Sequence, residues 1–338
     1  MKSKLTIGII GAGRIGQVHT ISIMNNMKNV SIKWISDVVP GLAENWSKES
    51  GIANFTTDYT EVINDPEVDA ILICSSTESH AKISIDAAAA KKHIFCEKPV
   101  ALSIEKVKAV DDAIKQAGVK FQVGFNRRFD HNFKKISQLI KEGVLGDLHI
   151  LRITSRDPEP PNPAYIEVSG GMFMDMTIHD FDMARFLSES EAEEIYVTAA
   201  CLVDPEIGKA GDYDTAIITI RFMNGSLCVI DNSRKAVYGY DQRVEAFGSL
   251  GKAEAFNDLP NSAIWSTASG VFTEKPKYFF LERYMESFTE EIRQFVDAVL
   301  NDKETPVGIN DGLQPLIMGL AAKKSVLEHR PVKISEFI

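Results

Sequence analysis

The segment LTIGIIGAGRIGQV, residues 5–18, constrains the fold more than any other stretch. Leu5, Ile7, Ile9 and Ile10 form an apolar, β-branched run of the kind that makes a strand covered on both faces. The run ends in Gly11-Ala12-Gly13-Arg14-Ile15-Gly16 and continues into helix-compatible residues. Strand, glycine turn and helix, in that order, are what a dinucleotide site requires. Gly11 permits the tight turn, Gly13 lets a pyrophosphate approach the backbone, and Gly16 lets the helix pack closely on the strand. The helix N-terminus adds unpaired N–H groups and a partial positive charge, and Arg14 is a further phosphate contact.

A GxGxxG alone is a weak signal, because a glycine turn before a capped helix has the same residues. Its context strengthens it. Residues 31–36, SIKWIS, read as a second strand ending at Asp37, about 20 residues past the last glycine, where an acid accepts from the adenosine ribose 2′-OH. A carboxylate about 4 Å from a 2′-phosphate is repelled by roughly 4 kcal/mol per unit charge at an effective dielectric near 20. The expected cofactor is therefore NAD rather than NADP.

The chain has 338 residues, enough for two domains, and its 44 % hydrophobic and 25 % charged residues describe a globular protein. A formal charge of −10 argues against nucleic acid or an anionic membrane as partner. Cys74, Cys96, Cys201 and Cys228 show no paired spacing, which suits free thiols in a reducing cytosol. The apolar start reads as the first strand rather than a leader, and no apolar run approaches the roughly 20 residues of a membrane span. A cytoplasmic protein is expected. No internal repeat is evident.

Further strands are expected at 69–75, 93–96 and 120–123, alternating with helices at 41–50, 61–65, 81–90 and 102–117. This βαβ alternation predicts a doubly wound parallel α/β sheet, a Rossmann domain, over residues 1–124. Ligands bind outside the carboxyl ends of such strands. The polar loop Ser75, Ser76, Thr77 through His80 is therefore a candidate cofactor contact, as is Glu97-Lys98-Pro99 after the 93–96 strand. Capping or turn formation is the plainer role for the loop residues.

After residue 124 the rhythm changes. A helix is expected from Phe125 to about Glu142, and a strand at 147–155. A loop with four prolines follows, then a helix over 170–187 entered through two glycines. Strands at 194–201, 215–223, 226–233, 242–247 and 252–255 follow, with Asn224-Gly225 as a hairpin turn. Helices near 284–300 and 311–328 close the chain. The expectation is an α+β domain over residues 125–338 with a large, mostly antiparallel open-faced sheet, binding substrate and mediating oligomerisation. Thr215, Ile217, Thr219 and Arg221 alternate with Ala216, Ile218, Ile220 and Phe222, so both faces carry apolar residues and sheet-to-sheet self-association is expected.

Lys98, at a strand end and restrained by Pro99, is a cation suited to stabilise a developing alkoxide. Asp175 and His179, four apart on one expected helix, share a face; the imidazole is a proton acceptor at neutral pH and the carboxylate orients it or holds a substrate hydroxyl. A surface Asp–His pair is the plainer reading of that spacing. Asp175, His179 and Asp182 are thinkable metal ligands, but no further cluster completes a set and no metal is expected. Of Arg127 and Arg128, one is expected in the cleft and the other in a structural ion pair; Tyr238, Tyr240 and Asp241 are weaker candidates.

With GAGRIG, Asp37, Glu97-Lys98-Pro99 and Asp175-x3-His179 in hand, the chain resembles the Gfo/Idh/MocA oxidoreductases over essentially its whole length. Gly124 to Asp130 (GFNRRFD), SGGMFMDMTIHDFDMARFL at 169–187 and VYGYDQRVEAFGSLG at 237–251 look more narrowly like the inositol 2-dehydrogenases. The resemblance implies a Rossmann domain, an open-faced sheet domain and a homotetramer. It implies Lys98, Asp175 and His179 as the catalytic Lys, Asp and His, with Arg127, Asp157 and Tyr240 in the polyol pocket. Arg156-Asp157-Pro158 departs from the Asn-Pro of some inositol enzymes, a position that bears on polyol stereochemistry. The implied reaction is metal-free, NAD-dependent oxidation of a ring hydroxyl, myo-inositol to its 2-ketone, with an ammonium and an imidazole meeting over the nicotinamide. The alternatives are a scyllo-inositol, hexose or anhydrosugar dehydrogenase, an NAD-dependent glycosidase that regenerates its cofactor, and an NAD-binding redox sensor without turnover.

Overall fold

The computed structural model describes residues 2–338, apart from the side chains of Pro163 and Glu167. It divides into two compact units. The first runs through Phe129 and regains Met285–Leu316; the second is Asp130–Tyr284 with Ile317–Ile338.

In the first unit the strands are β1 (Leu5–Ile10), β2 (Val30–Ser36), β3 (Asn54–Thr56), β4 (Ala70–Ile73), β5 (His93–Glu97) and β6 (Phe121–Gly124). The helices between them are α1 (Arg14–Asn26), α2 (Leu42–Ser50), α3 (Tyr59–Asn64), α4 (Thr77–Ala89) and α5 (Ile104–Ala117). Among the described residues these strands form one parallel sheet in the order β3-β2-β1-β4-β5-β6. The order reverses between β1 and β4, so the crevice where a doubly wound sheet takes its ligand opens beside Gly11 and Ser75. The expected alternation is observed, with ends moved by a residue or two. One difference matters locally: Thr77 to His80 are the first turn of α4 rather than loop.

The expected division at residue 124 is corrected by the helix Met285–Leu300. Phe288, Ile292, Phe295 and Val296 are buried, at the spacing of one helical face. Ile292, Phe295 and Val296 join Leu5, Ile7 and Ile9 of β1, Leu72, Phe95, and Ile23 and Met27 of α1 in one core cluster. Sequence distance hid this, because amphipathicity shows that a helix has a buried face but not which sheet it covers. Farther on, the Val123 N–H donates to the Val307 carbonyl (3.0 Å) and the Thr305 hydroxyl to the Phe121 carbonyl (2.6 Å), tying this return segment to β6.

The second unit's sheet is built from β7 (Leu148–Arg156), β8 (Ala192–Ala200), β9 (Thr215–Phe222), β10 (Leu227–Ser233), β11 (Asp241–Gly248) and β12 (Gly251–Ala255). A separate hairpin, β13 (Ile264–Thr267) and β14 (Gly270–Thr273), precedes the short β15 (Val332–Lys333). The large sheet runs β12-β11-β7-β10-β9-β8-β15, antiparallel except for the β7–β10 pair. The β9–β10 hairpin turns at Asn224-Gly225, where Gly225 has φ +88° and the Asn224 side chain accepts from the Ser226 N–H. Ala216, Ile218, Ile220 and Phe222 are buried on one face, while Ile217 on the other is 49 % exposed. The expected helix from Phe125 divides into a 3-10 turn, Asn126–Phe129, and the helix His131–Lys141, which the Asp130 side chain caps.

Phe295 is fully buried, so Phe295→Ala leaves a cavity expected to cost about 3–4 kcal/mol. Urea unfolding checks this, and a loss under about 1 kcal/mol would contradict the packing of the returning helix on the parallel sheet.

Candidate active site

In the first unit the glycine loop has the shape the motif requires. Gly11 has φ +107°, and a Cβ there would stand 2.4 Å from the Cys74 carbonyl carbon. A Cβ on Gly16 would lie 1.9 Å from the Gly11 carbonyl oxygen, so helix and strand meet at backbone contact. A Cβ on Gly13 would meet nothing within 4 Å, leaving open space in front of the helix N-terminus. Ile15 is half-buried and Arg14 is exposed. The Asp37 carboxylate accepts from the Ala12 N–H (2.8 Å) and the Val39 N–H (2.9 Å). A carboxylate has about four acceptor sites, so fixing the loop in this way leaves capacity for a ribose hydroxyl. An open glycine cradle, a helix N-terminus without acidic residues in its first turn and a placed acid fit an NAD dinucleotide.

Around the β4 and β5 ends, Ser76 takes the N-cap position of α4 without a side-chain capping bond, and the Ser75 hydroxyl pairs with that of Ser79 (2.7 Å). His80, expected among the residues that contact the cofactor, has both ring nitrogens at main-chain carbonyls. It is buried, with Nδ1 2.8 Å from the Pro99 carbonyl and Nε2 3.0 Å from the Ser75 carbonyl. Burial pushes its pKa below the ordinary histidine value against those two carbonyls, so the ring is neutral at pH 7 and donates to one of them. His80 thus staples the Ser75 turn to the Lys98-Pro99 segment. Lys98 is half-buried just past β5, and the Lys98–Pro99 peptide bond is cis. Cys96 is buried and its thiol is pushed well up by that burial, so it is a core residue rather than a nucleophile. Arg128 pairs with Asp311 (2.8 Å), the structural pair expected of one of the two arginines, and Arg127 is buried.

In the second unit the single expected helix over 170–187 is broken. Gly170 and Gly171 have φ +86° and +82°, Met172–Asp175 is one short helix, and Thr177–Ser188 is the next. The Asp212 carboxylate accepts from the Met172 N–H and occupies the space where a Gly171 side chain would go. A further break at Met176 ends the short helix at Asp175 and puts His179 in the first turn of the next, so their four-residue spacing does not fall on one continuous helix. Asn232 of β10 holds the second helix: it accepts from the Thr177 hydroxyl (2.7 Å) and donates to Asp180 (2.9 Å), bracketing His179.

Asp175 is held from two sides. The Tyr165 hydroxyl donates to Oδ1 (3.0 Å), and Arg234 Nη1 lies 3.2 Å from Oδ2. The same Nη1 lies 3.6 Å from Asp157 Oδ2, which brings the proline-loop acid together with Asp175. The Arg234 side chain is 2 % exposed, and its Nε and Nη2 have no protein partner. Sequence reasoning missed Arg234 and Tyr165; one arginine among the charged residues after β10 carries no mark of burial. Tyr240 is buried with its ring edge-on to Tyr284. The weaker candidates are committed elsewhere: Tyr238 donates to Asp241, which Arg243 also grips, and these bonds hold the Asp241 carboxyl below its ordinary pKa despite burial.

Residues 5–125 match the model of an oxidoreductase family with an NAD-binding Rossmann fold, Gfo/Idh/MocA, and residues 133–254 match the C-terminal domain of that family. The chain is 47 % identical to a myo-inositol 2-dehydrogenase from Thermotoga maritima, over 99 % of this chain and 100 % of that one. It is 42 % identical to an inositol 2-dehydrogenase from Rhizobium meliloti, over 97 % and 98 % of the two chains. A crystal structure of scyllo-inositol dehydrogenase from Lactobacillus casei, with bound NAD(H) and scyllo-inositol, is similar with a TM-score of 0.92 at 27 % identity, over 98 % and 99 % of the chains.

Arg234→Met removes the buried cation between two acids. Because both carboxylates keep some solvent, the expected loss of stability is about 2 kcal/mol, together with a fall in turnover. Thermal unfolding and steady-state kinetics check this; unchanged turnover would show that Arg234 does not hold Asp175 in its working position.

Proposed function

The chain belongs to the Gfo/Idh/MocA oxidoreductase family, and from that membership we infer that it is an NAD-dependent dehydrogenase that oxidises myo-inositol at a ring hydroxyl to 2-keto-myo-inositol. The observation that carries this reading is the end-to-end similarity to the Thermotoga enzyme in a chain that has Lys98, Asp175 and His179. A second reading, scyllo-inositol as substrate, draws on the 32 % identity to a Bacillus subtilis scyllo-inositol 2-dehydrogenase (NAD(+)).

Bound NAD supplies the hydride acceptor. In the reading proposed here, His179 takes the hydroxyl proton as the carbon loses hydride, and Lys98 donates to the oxygen as its negative charge develops. Asp175, fixed by Tyr165 and Arg234, orients the imidazole or a neighbouring hydroxyl. Asp157, Arg127 and Tyr240 are assigned to the polyol's other hydroxyls. Gly11, Gly13, Arg14, Ile15, Gly16 and Asp37 are assigned to the dinucleotide, with Ser75, Ser76, Thr77 and Glu97 bordering it. The assignment rests on the family resemblance and on the chemistry of these side chains.

The proposed assembly is a homotetramer. What supports it is the open face of the second unit's sheet. The pairings Tyr196↔Thr219, Leu227↔Arg221, Leu227↔Ile150 and Phe247↔Ile150 put Tyr196, Ile217, Leu227 and Phe247 on one face, and all four are exposed. An apolar face of that kind suits a second copy of the chain. No helix among the described residues is long and apolar enough to cross a membrane. Four free cysteines accord with the proposed cytoplasmic setting in inositol catabolism.

Two measurements test the reading. Reduced-cofactor absorbance across a panel of inositols and aldoses is expected to be strongest with myo-inositol and NAD, with at least a hundredfold lower kcat/KM for NADP because of Asp37. Comparable NADP activity, or a hexose as the best substrate, would overturn it. Lys98→Ala and His179→Ala are each expected to lower kcat by at least a hundredfold while NAD affinity stays within about twofold. Near-full activity in either variant removes that residue from the mechanism.

A further inference from the structure

Glu97 is the residue before Lys98, and its carboxylate lies in a buried polar group whose other members, His19 and Glu291, the proposed mechanism does not use. His19 Nε2 lies 2.7 Å from Glu97 Oε1, and Glu291 Oε1 lies 4.0 Å from the same nitrogen. His19 and Glu291 are fully buried, and both Glu291 oxygens and His19 Nδ1 lack a hydrogen-bond partner. Phe95 and Phe288 set their ring edges around the imidazole at centroid distances of 5.2 and 5.7 Å. Gly124 pairs with Glu97 across β5 and β6, and a Cβ there would stand 3.0 Å from the Glu97 carboxylate. The group therefore joins the helix that follows the glycine loop, the strand end that carries Lys98 and the returning helix Met285–Leu300.

One histidine and two carboxylates raise the question of a metal ion, but the spacing argues otherwise. Two donors about 2.1 Å from a common ion stand roughly 3 Å or more apart, whereas Nε2 and Glu97 Oε1 are at hydrogen-bond distance. The His19 Nε2–H instead donates to Glu97, whose side chain retains some solvent. Glu291, with no donor and no solvent, sits beside the Glu97 side chain, 4.0 Å from the same His19 nitrogen.

We infer that Glu291 is a neutral carboxylic acid in the folded protein, and that His19, acting through Glu97, is a positioning residue for Lys98. The second half rests on the catalytic reading of Lys98 given above. A neutral Glu291 leaves Glu97 as the one negative charge in the pocket, so the His19 proton has one acceptor and the strand end one position. Burial and the Glu97 charge both push the Glu291 carboxyl well above the usual carboxylate range. The other groups on packed elements do not offset this. The Cys74 and Cys96 thiols are kept neutral by burial, Gln122 donates to the Glu291 main-chain carbonyl, and Arg128 is spent on Asp311. Arg127 lies on the 3-10 turn packed against this helix, and the causes that act on Glu291 are its burial and Glu97.

The sign of the pH dependence follows. An acid raised in the folded state favours folding below its unfolded pKa, and that contribution is lost as pH rises toward the folded value. Glu291→Gln, a neutral isostere, escapes that loss. The test compares the intact enzyme with Glu291→Gln between pH 5 and 8. The Tm advantage of the variant is expected to grow steadily with pH, with kcat within about twofold. The infrared difference spectrum is expected to lose one protonated-carboxyl band. A pH-independent Tm difference, or a stoichiometric metal ion released by the substitution, overturns the neutral-acid assignment. His19→Ala is expected to lower kcat about tenfold with NAD affinity within about twofold, and His19→Gln, which keeps a donor near the Nε2 position, to restore most of it. Unchanged kcat in His19→Ala overturns the positioning role. Full activity in Lys98→Ala would sink the catalytic reading instead and leave the Tm result standing.

Discussion

At the end of β5, polar groups from elements far apart in sequence converge. Glu97 receives the His19 proton from one side, His80 bridges the Pro99 and Ser75 carbonyls on the other, and Gly124 leaves room for the carboxylate between them. A lysine is a flexible point charge with about 2 kcal/mol of rotamer entropy. The alkoxide-stabilising role proposed for Lys98 depends on a backbone that does not move. The surroundings of Glu97-Lys98-Pro99 supply that rigidity from three elements far apart in sequence. The glycine loop follows the same logic, with Asp37 gripping the Ala12 amide and so shaping the turn that the dinucleotide meets.

The second unit treats its acid in a parallel way. Asp175 stands at a helix break, where a carboxylate without partners would be free to rotate. Tyr165 and the buried guanidinium of Arg234 restrain it, and Asp157 shares the same cation. Gly170 and Gly171, in left-handed conformation, and the Asp212 carboxylate that accepts from Met172 fix where the first short helix begins, and the chain breaks again at Met176. Two short helices in place of one allow Asp175 and His179 to be anchored separately, the first by Arg234 and the second through Asn232.

Much of this was legible in the sequence, for identifiable reasons. β-branched runs punctuated by glycine marked the parallel strands, and Asn224-Gly225 marked the hairpin, because both signals are local. The glycine loop and Asp37 were legible for the same reason, since the spacing of a strand-turn-helix is fixed by covalent geometry. The return of Met285–Leu300 to the first core was not legible, because helix amphipathicity carries no address. Arg234, His19 and Glu291 were also missed. Each matters because it is buried beside a partner between 59 and 272 positions away along the chain, as with Asp175 for Arg234 and Glu291 for His19. The helix break at Met176 escaped notice because no glycine or proline marks it in residues 172–179.

The central claim is that a hydride leaves a ring carbon of the polyol for the nicotinamide. Myo-inositol carrying deuterium at C2, incubated with the enzyme and NAD, tests it most directly, with the products read by mass spectrometry. The account predicts NADH heavier by one mass unit and a ketone that has lost the label. Unlabelled NADH, or a ketone that keeps its deuterium, would contradict it.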